Sequence, residues 1–138
     1  MLANTLNTNE VKDSSAAEVE FTRLKTEGRK TVFAKIGESP AYEHRLSISH
    51  TESGTGINKN RRSAVRVDIS TPSTVDASRV VVASAYTVIQ VPIGGLTAMT
   101  IPKDALAELL SFIGTTDGST LLHNGTGTGA AALLSGGL

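Results

Sequence analysis

The chain contains no cysteine and no tryptophan, and only three phenylalanines, two tyrosines and two methionines among its 138 residues. Without cysteine there are no disulfides and no thiolate metal sites, which fits a reducing compartment. Aromatic side chains carry much of the burial in protein cores, so a content of 4% predicts a thin core for a lone monomer. An obligate oligomer would supply the missing burial. An excess of charge of one sign is also lacking, since 13 basic and 13 acidic residues balance. That balance neither suggests nor excludes a nucleic-acid partner, because distribution matters more than the sum. No apolar run is long enough to cross a bilayer, and no basic stretch followed by an apolar one opens the chain. Neither a membrane span nor a signal peptide is expected. The length suits one domain, or a domain with tails.

The side-chain sets that carry catalysis are also missing. His44, His50 and His123 have no accompanying carboxylate cluster, and His44 and His50 stand too far apart on one strand to chelate a metal alone. They read as surface or subunit-contact histidines. Gly37-Glu38-Ser39-Pro40 lacks the closing glycine and the strand-to-helix setting of a nucleophile elbow. Gly125-Thr126-Gly127-Thr128-Gly129-Ala130 imitates a dinucleotide fingerprint, but too little chain follows it to supply the helix, strand and acidic residue that the motif needs. Asn124-Gly125-Thr126 matches a glycosylation acceptor by chance, given no secretory signal. We therefore expect no enzyme, no cofactor and no metal.

What is present is alternation. Arg45-Leu46-Ser47-Ile48-Ser49-His50 and Ala64-Val65-Arg66-Val67-Asp68-Ile69-Ser70 flank a polar, basic turn, Thr51 to Asn60. Successive side chains on a strand point to opposite faces, so Leu46, Ile48, Val65, Val67 and Ile69 can share one face. Arg45, Ser47, Ser49, Arg66, Asp68 and Ser70 then face the other way, as in a half-covered antiparallel sheet. Weaker strand signals cover Val19 to Leu24 and Thr31 to Ile36, and a long apolar strand runs from Arg79 to Ile93. Residues 1–17 read as a polar arm or weak first strand, and 18–93 as the sheet. Thr100 to Ile113 predicts a helix, with Thr100 as cap, Pro102 in the first turn, a Leu106/Leu109/Leu110/Ile113 stripe and Gly114 as stop. A second short helix is expected through Leu121, Leu122 and His123, capped by Asp117 or Ser119, completing a helical segment over 100–124. Residues 125–138 read as a Gly-rich tail, loose or docked by Leu133 and Leu134. Strands first and helices after give an α+β class, with an antiparallel sheet, an N-terminal hairpin and two C-terminal helices in one domain over 1–138.

The polar sheet face supplies the one candidate site. Lys59, Arg61, Arg62, Arg66 and Arg45 can contact phosphate, while Ser47, Ser49, Tyr86 and Gln90 can hydrogen-bond or stack on bases. A solvated turn beside an exposed sheet face is the alternative reading of the same residues.

With these features the sequence resembles the coat proteins of single-stranded RNA bacteriophages, the leviviruses. The residues that carry the likeness are Asn60-Arg61-Arg62-Ser63-Ala64-Val65-Arg66-Val67-Asp68-Ile69, similar to that family's basic-turn strand, and Ser84-Ala85-Tyr86 through Val91-Pro92-Ile93, similar to its last long strand. The order of elements agrees over roughly residues 30–124. The resemblance implies an interlocked homodimer with one continuous sheet, and helices laid across the partner's sheet. It implies an icosahedral shell, assembled in the bacterial host cytoplasm and located in the virion. It also implies that single-stranded genomic RNA binds on the inner face, together with a hairpin that acts as translational operator. On this basis Ser47, Ser49, Arg62, Arg66, Tyr86 and Gln90 fall on RNA-contacting strand positions. A small cellular β-rich oligomeric module that builds no shell is the competing expectation.

Overall fold

The computed structural model describes residues 2–115 and 122–136. The chain divides into two compact units, Met1–Asn7 with Glu20–Leu96, and Thr8–Val19 with Thr97–Leu138.

The first unit is a six-stranded sheet in the order β1-β2-β3-β4-β5-β6. Its strands are β1 (Thr5–Leu6), β2 (Phe21–Glu27), β3 (Lys30–Lys35), β4 (His44–Ser53), β5 (Asn60–Pro72) and β6 (Val80–Pro92). Each strand pairs antiparallel with its sequence neighbour. The register sets Leu46 opposite Val67, Ile48 opposite Val65 and His44 opposite Ile69. Directly opposed residues share a face, so the apolar set expected from alternation does lie on one side. The β4–β5 hairpin zips up to Ser53 and Asn60, further than a connection over Thr51 to Asn60 anticipates. The reversal fits into a shorter turn because Gly54 takes φ +81°, where a Cβ would also overlap the Asn58 carbonyl oxygen. A 3₁₀ turn at Gly56–Asn58 completes it.

Burial is concentrated at the β2–β4 side of the apolar face. Phe21 and Phe33 are fully buried and Leu46 nearly so. The Phe21 ring meets His44 edge-on, with centroids 5.3 Å apart and planes at 88°. The Arg23 guanidinium lies 5.7 Å over Phe33 and donates to the carbonyl oxygens of Leu2 and Ala3. Towards β5 and β6 the same face opens, with Val65 41% and Ile69 39% exposed. Val81 is exposed on this face as well, whereas Val80 and Val82, opposed to Pro72 and Ser70, are exposed on the polar one.

In the second unit α1 (Thr100–Gly114) matches the expected helix closely. Thr100 is its first helical residue rather than its cap; Met99 holds the cap position without a side-chain bond. The Ile101 N–H bonds to the Ala98 carbonyl at 3.2 Å, so the helix opens from a backbone turn instead. None of its residues is buried, and Ile101, Leu109, Leu110 and Phe112 are exposed.

The second helix is not where the leucine pattern placed it. Leu122 and His123 are non-helical, while Asp117, Ser119 and Leu121 lie outside the described residues. Helix α2 is instead Thr128–Ser135, inside the Gly-rich stretch. Its buried residues are Gly129 and Ala130. A Cβ on Gly129 would overlap the Phe112 carbonyl oxygen and stand 2.7 Å from that ring's carbons. Small side chains let α2 reach α1, and this packing outweighs a weak intrinsic helix propensity. The N-terminal part of the unit is a loop closed by Asp13, whose Oδ1 accepts the N–H groups of Ser15 (2.8 Å) and Ala17 (3.0 Å).

Two outcomes follow from this packing. Phe33→Ala should lower unfolding stability by about 3–5 kcal/mol in urea titrations. Gly129→Ala should undock α2, seen as faster amide exchange over Thr128–Ser135. Unchanged exchange there would contradict the close contact with Phe112.

Candidate nucleic-acid interface

The polar face is assembled in rows across the strands. Arg45, Asp68 and Ser84 form one row; Ser47, Arg66 and Tyr86 form the next. Ser49, Ala64 and Val88 follow, then Thr51, Arg62 and Gln90. The sheet therefore brings Arg45, Ser47, Ser49, Arg62, Arg66, Tyr86 and Gln90 to one side. Arg61 stands on the other, opposed to Glu52 and Val91. Successive strand residues alternate, so Arg61 and Arg62 cannot share a face. Lys59 sits in the turn, its Nζ 2.8 Å from Glu52 Oε2, and Arg29 reaches the same carboxylate at 2.7 Å.

One residue of this face escaped the sequence reading. Lys30 opens β3 and pairs with Ser49, which puts it on the polar side. The signal was its parity against Phe33: Lys30, Val32 and Ala34 must all face away from that buried ring. Lys30, Ser47, Arg62 and Tyr86 border a shallow depression of about 360 Å³. Tyr86 is 69% exposed and so available for stacking.

The cations are not equivalent. Arg66 Nε donates to both Asp68 oxygens, at 2.8 and 2.9 Å, and Nη2 donates to Ser84 Oγ at 3.2 Å. The Ser84 hydroxyl in turn donates to Asp68 Oδ1. Ser84 first, and Arg66 next, hold the Asp68 carboxyl below its ordinary value. Arg45 pairs with Glu38 and lies 3.4 Å from Glu43. Glu38 also accepts the His44 N–H at 2.9 Å. The Arg45 bond is the main cause holding Glu38 low. Glu52 is held low by Lys59 and then Arg29. Burial, followed by the charge of Lys35, lowers the His44 pKa. His50 Nδ1 lies 2.8 Å from Ser63 Oγ on the apolar side. Among the described residues no three His or acidic groups converge as metal ligands. The face offers cations, hydroxyls, an amide and one exposed ring, the groups suited to a phosphate backbone and unpaired bases.

No protein-family model matches the chain, and no curated protein matches it. Solved structures do. The coat protein of bacteriophage EMS014 superposes with a TM-score of 0.71 at 10% identity, covering 93% of this chain and 92% of that one. A chain of the virus-like particle of bacteriophage AVE019 gives 0.55 at 10% identity, covering 97% and 93%. One from the virus-like particle of Beihai levi-like virus 32 gives 0.56 at 19% identity, covering 68% and 75%. These likenesses establish the fold: a six-stranded antiparallel sheet followed by two helices, as in levi-like phage coat proteins.

Ion pairs at Glu38 and Glu52, the Ser84 hydroxyl and Arg66 at Asp68, and burial at His44 fix the sign of the pH response. The folded pKa values of Glu38, Glu52 and Asp68 lie below the ordinary 4.5, 4.5 and 3.8, and that of His44 below 6.5. Each group therefore binds protons more readily in the unfolded chain. Their stabilisation is complete above the ordinary value and is lost as pH falls through the folded one. The thermal midpoint should ease downward below about pH 6.5, through His44, and fall more steeply in the carboxylate range. Glu38→Gln should soften the acid-side fall. A midpoint that rises on acidification would contradict these assignments.

Proposed function

We propose, from a fold shared with the coat proteins of levi-like bacteriophages, that this chain is a viral coat protein that assembles into a closed shell around single-stranded RNA. The observation that carries the reading is the likeness to a phage coat protein over nearly the whole of both chains. On this reading the 138 residues act as one coat-protein domain that a second copy completes.

Two features of the sheet support a homodimer. Among the described residues strand β6 pairs only with β5 and ends the sheet. An edge strand of 13 residues presents a long row of unpaired N–H and C=O groups, which soluble proteins rarely leave open. Pairing β6 with its counterpart in a second copy would close that edge and make one continuous sheet, and a two-fold contact of this kind is self-complementary. The open apolar surface at Val65, Ile69 and Val81 would then receive helices of the partner, whose Leu109, Leu110 and Phe112 are likewise exposed. The opposite face turns inward. Arg45, Arg62 and Arg66, with Ser47, Ser49, Tyr86 and Gln90, meet genomic RNA and can also hold an operator hairpin. Lys30 joins this set. Assembly takes place where the RNA is made, in the host cytoplasm, and the mature location is the virion.

Expression of the chain alone tests the proposal. Electron microscopy should find closed particles that carry host RNA, and the Arg45→Ala/Arg62→Ala/Arg66→Ala variant should assemble with clearly less RNA. Small oligomers that never close would favour the cellular β-rich module and contradict a coat protein. Unchanged RNA content in the variant would remove the RNA assignment from this face.

A further inference from the structure

Five cations stand on the polar face, but only two of them form no ion pair; Lys25, opposite Val32, pairs with Glu27 at 2.9 Å. Arg45 and its partner Glu38 are both sheltered, with side chains 19% and 18% exposed. Arg66 is closed into a ring with Asp68 and Ser84, in which its Nε spans both carboxylate oxygens. Lys30 and Arg62 form no ion pair or hydrogen bond among the described residues. The division follows the strands. Lys30 belongs to the row of Ser49, and Arg62 to the row of Thr51, next to the β4–β5 turn. Arg66 and Arg45 belong to the two rows at the far end, those of Ser47 and Asp68.

We propose that Asp68 sets the RNA selectivity of this face: by holding Arg66 in the clasp with Ser84, it confines phosphate contact to the Lys30–Arg62 end. The inference rests on the RNA-binding reading above. Its logic is competition. A phosphate approaching Arg66 meets a carboxylate that already occupies the guanidinium and repels the incoming charge. To bind, it must displace Asp68 from Nε and leave that carboxylate with Ser84 alone. Arg62 imposes no such exchange, and Lys30, although it faces Glu27 across β2 and β3, is not bonded to that carboxylate, which pairs with Lys25. The backbone of a bound strand therefore anchors near the turn, while the Ser47, Tyr86 and Arg66 row meets bases and sugars. A carboxylate on an RNA-facing surface lowers affinity for arbitrary RNA, and this favours a strand whose shape places phosphates only where cations are unpaired. Discrimination through a repulsive element is a general route to specificity.

Asp68→Asn tests this while keeping the shape and a partner for Ser84. The purified 138-residue chain is titrated with a short unstructured RNA oligonucleotide over a range of salt, and the slope of log affinity against log salt is read. Each phosphate contact to a single strand contributes about 0.7 to that slope. Arg62→Ala and Lys30→Ala should each lower the slope by about 0.7, and Arg66→Ala by clearly less. Asp68→Asn should raise the slope by about 0.7 and increase affinity several-fold at low salt. That gain should vanish in Asp68→Asn/Arg66→Ala. Equal losses for Arg62→Ala and Arg66→Ala, or no gain in Asp68→Asn, would overturn the role of Asp68 and leave RNA binding intact. A slope near zero in the parent chain would overturn RNA binding by this face itself.

Discussion

Everything in this molecule follows from apolar surface that the chain does not bury by itself. Two phenylalanines are fully enclosed, and both belong to the β2–β4 side of the sheet. Beyond β4 the alternation continues for two long strands, yet Val65, Ile69 and Val81 of that face remain exposed, as do Ile101, Leu109, Leu110 and Phe112 of α1. Burial is worth roughly 25 cal/mol per Å² of apolar surface, and conformational entropy opposes ordering at every residue. A sheet flank and a helix that keep their apolar faces open contribute little of the first and carry the full cost of the second. On the proposed reading a second copy would resolve both problems through one contact, because the long edge of β6 and the open flank belong to the same side of the sheet.

The same alternation makes the polar face. A strand that commits its odd or even positions to apolar packing leaves the others to form a regular surface, and here those positions hold serines, threonines, arginines and one tyrosine. Zero net charge conceals how that surface is organised. Acidic residues are placed beside particular cations: Glu38 beside Arg45, Asp68 beside Arg66, and Glu52 between Arg29 and Lys59 on the opposite side. The first two pairs, with Lys25–Glu27, leave Lys30 and Arg62 as the cations of the candidate interface that form no ion pair among the described residues. The third joins the β2–β3 turn to the β4–β5 hairpin and lies away from that face.

Much of this was legible in the sequence, for a definite reason. Leu46, Ile48, Val65 and Val67 alternate so regularly that strand, face and pairing partner follow together, and the helix at Thr100–Gly114 announced itself by spacing. The failures share a cause as well. Helix α2 could not be read from Thr128-Gly129-Ala130-Ala131-Ala132, because glycine there is unfavourable to a helix in isolation and acquires its purpose only against Phe112. Lys30 lies just outside the strand expected from Thr31, although its parity against Phe33 already assigns it to the polar face. Arg61 was grouped with Arg62 by charge, where strand alternation alone separates them. The pairing of Asp68 with Arg66 was available from their two-residue spacing, but Ser84, which completes the clasp, comes from another strand.

Completion of the core by a second copy is tested most directly by the concentration dependence of unfolding. If folding and association are coupled, the thermal midpoint rises as total protein is increased, since mass action favours the associated folded state. The expected result is such a rise, with no folded monomer populated at high dilution. A folded monomer whose midpoint is the same across the concentration range would contradict it.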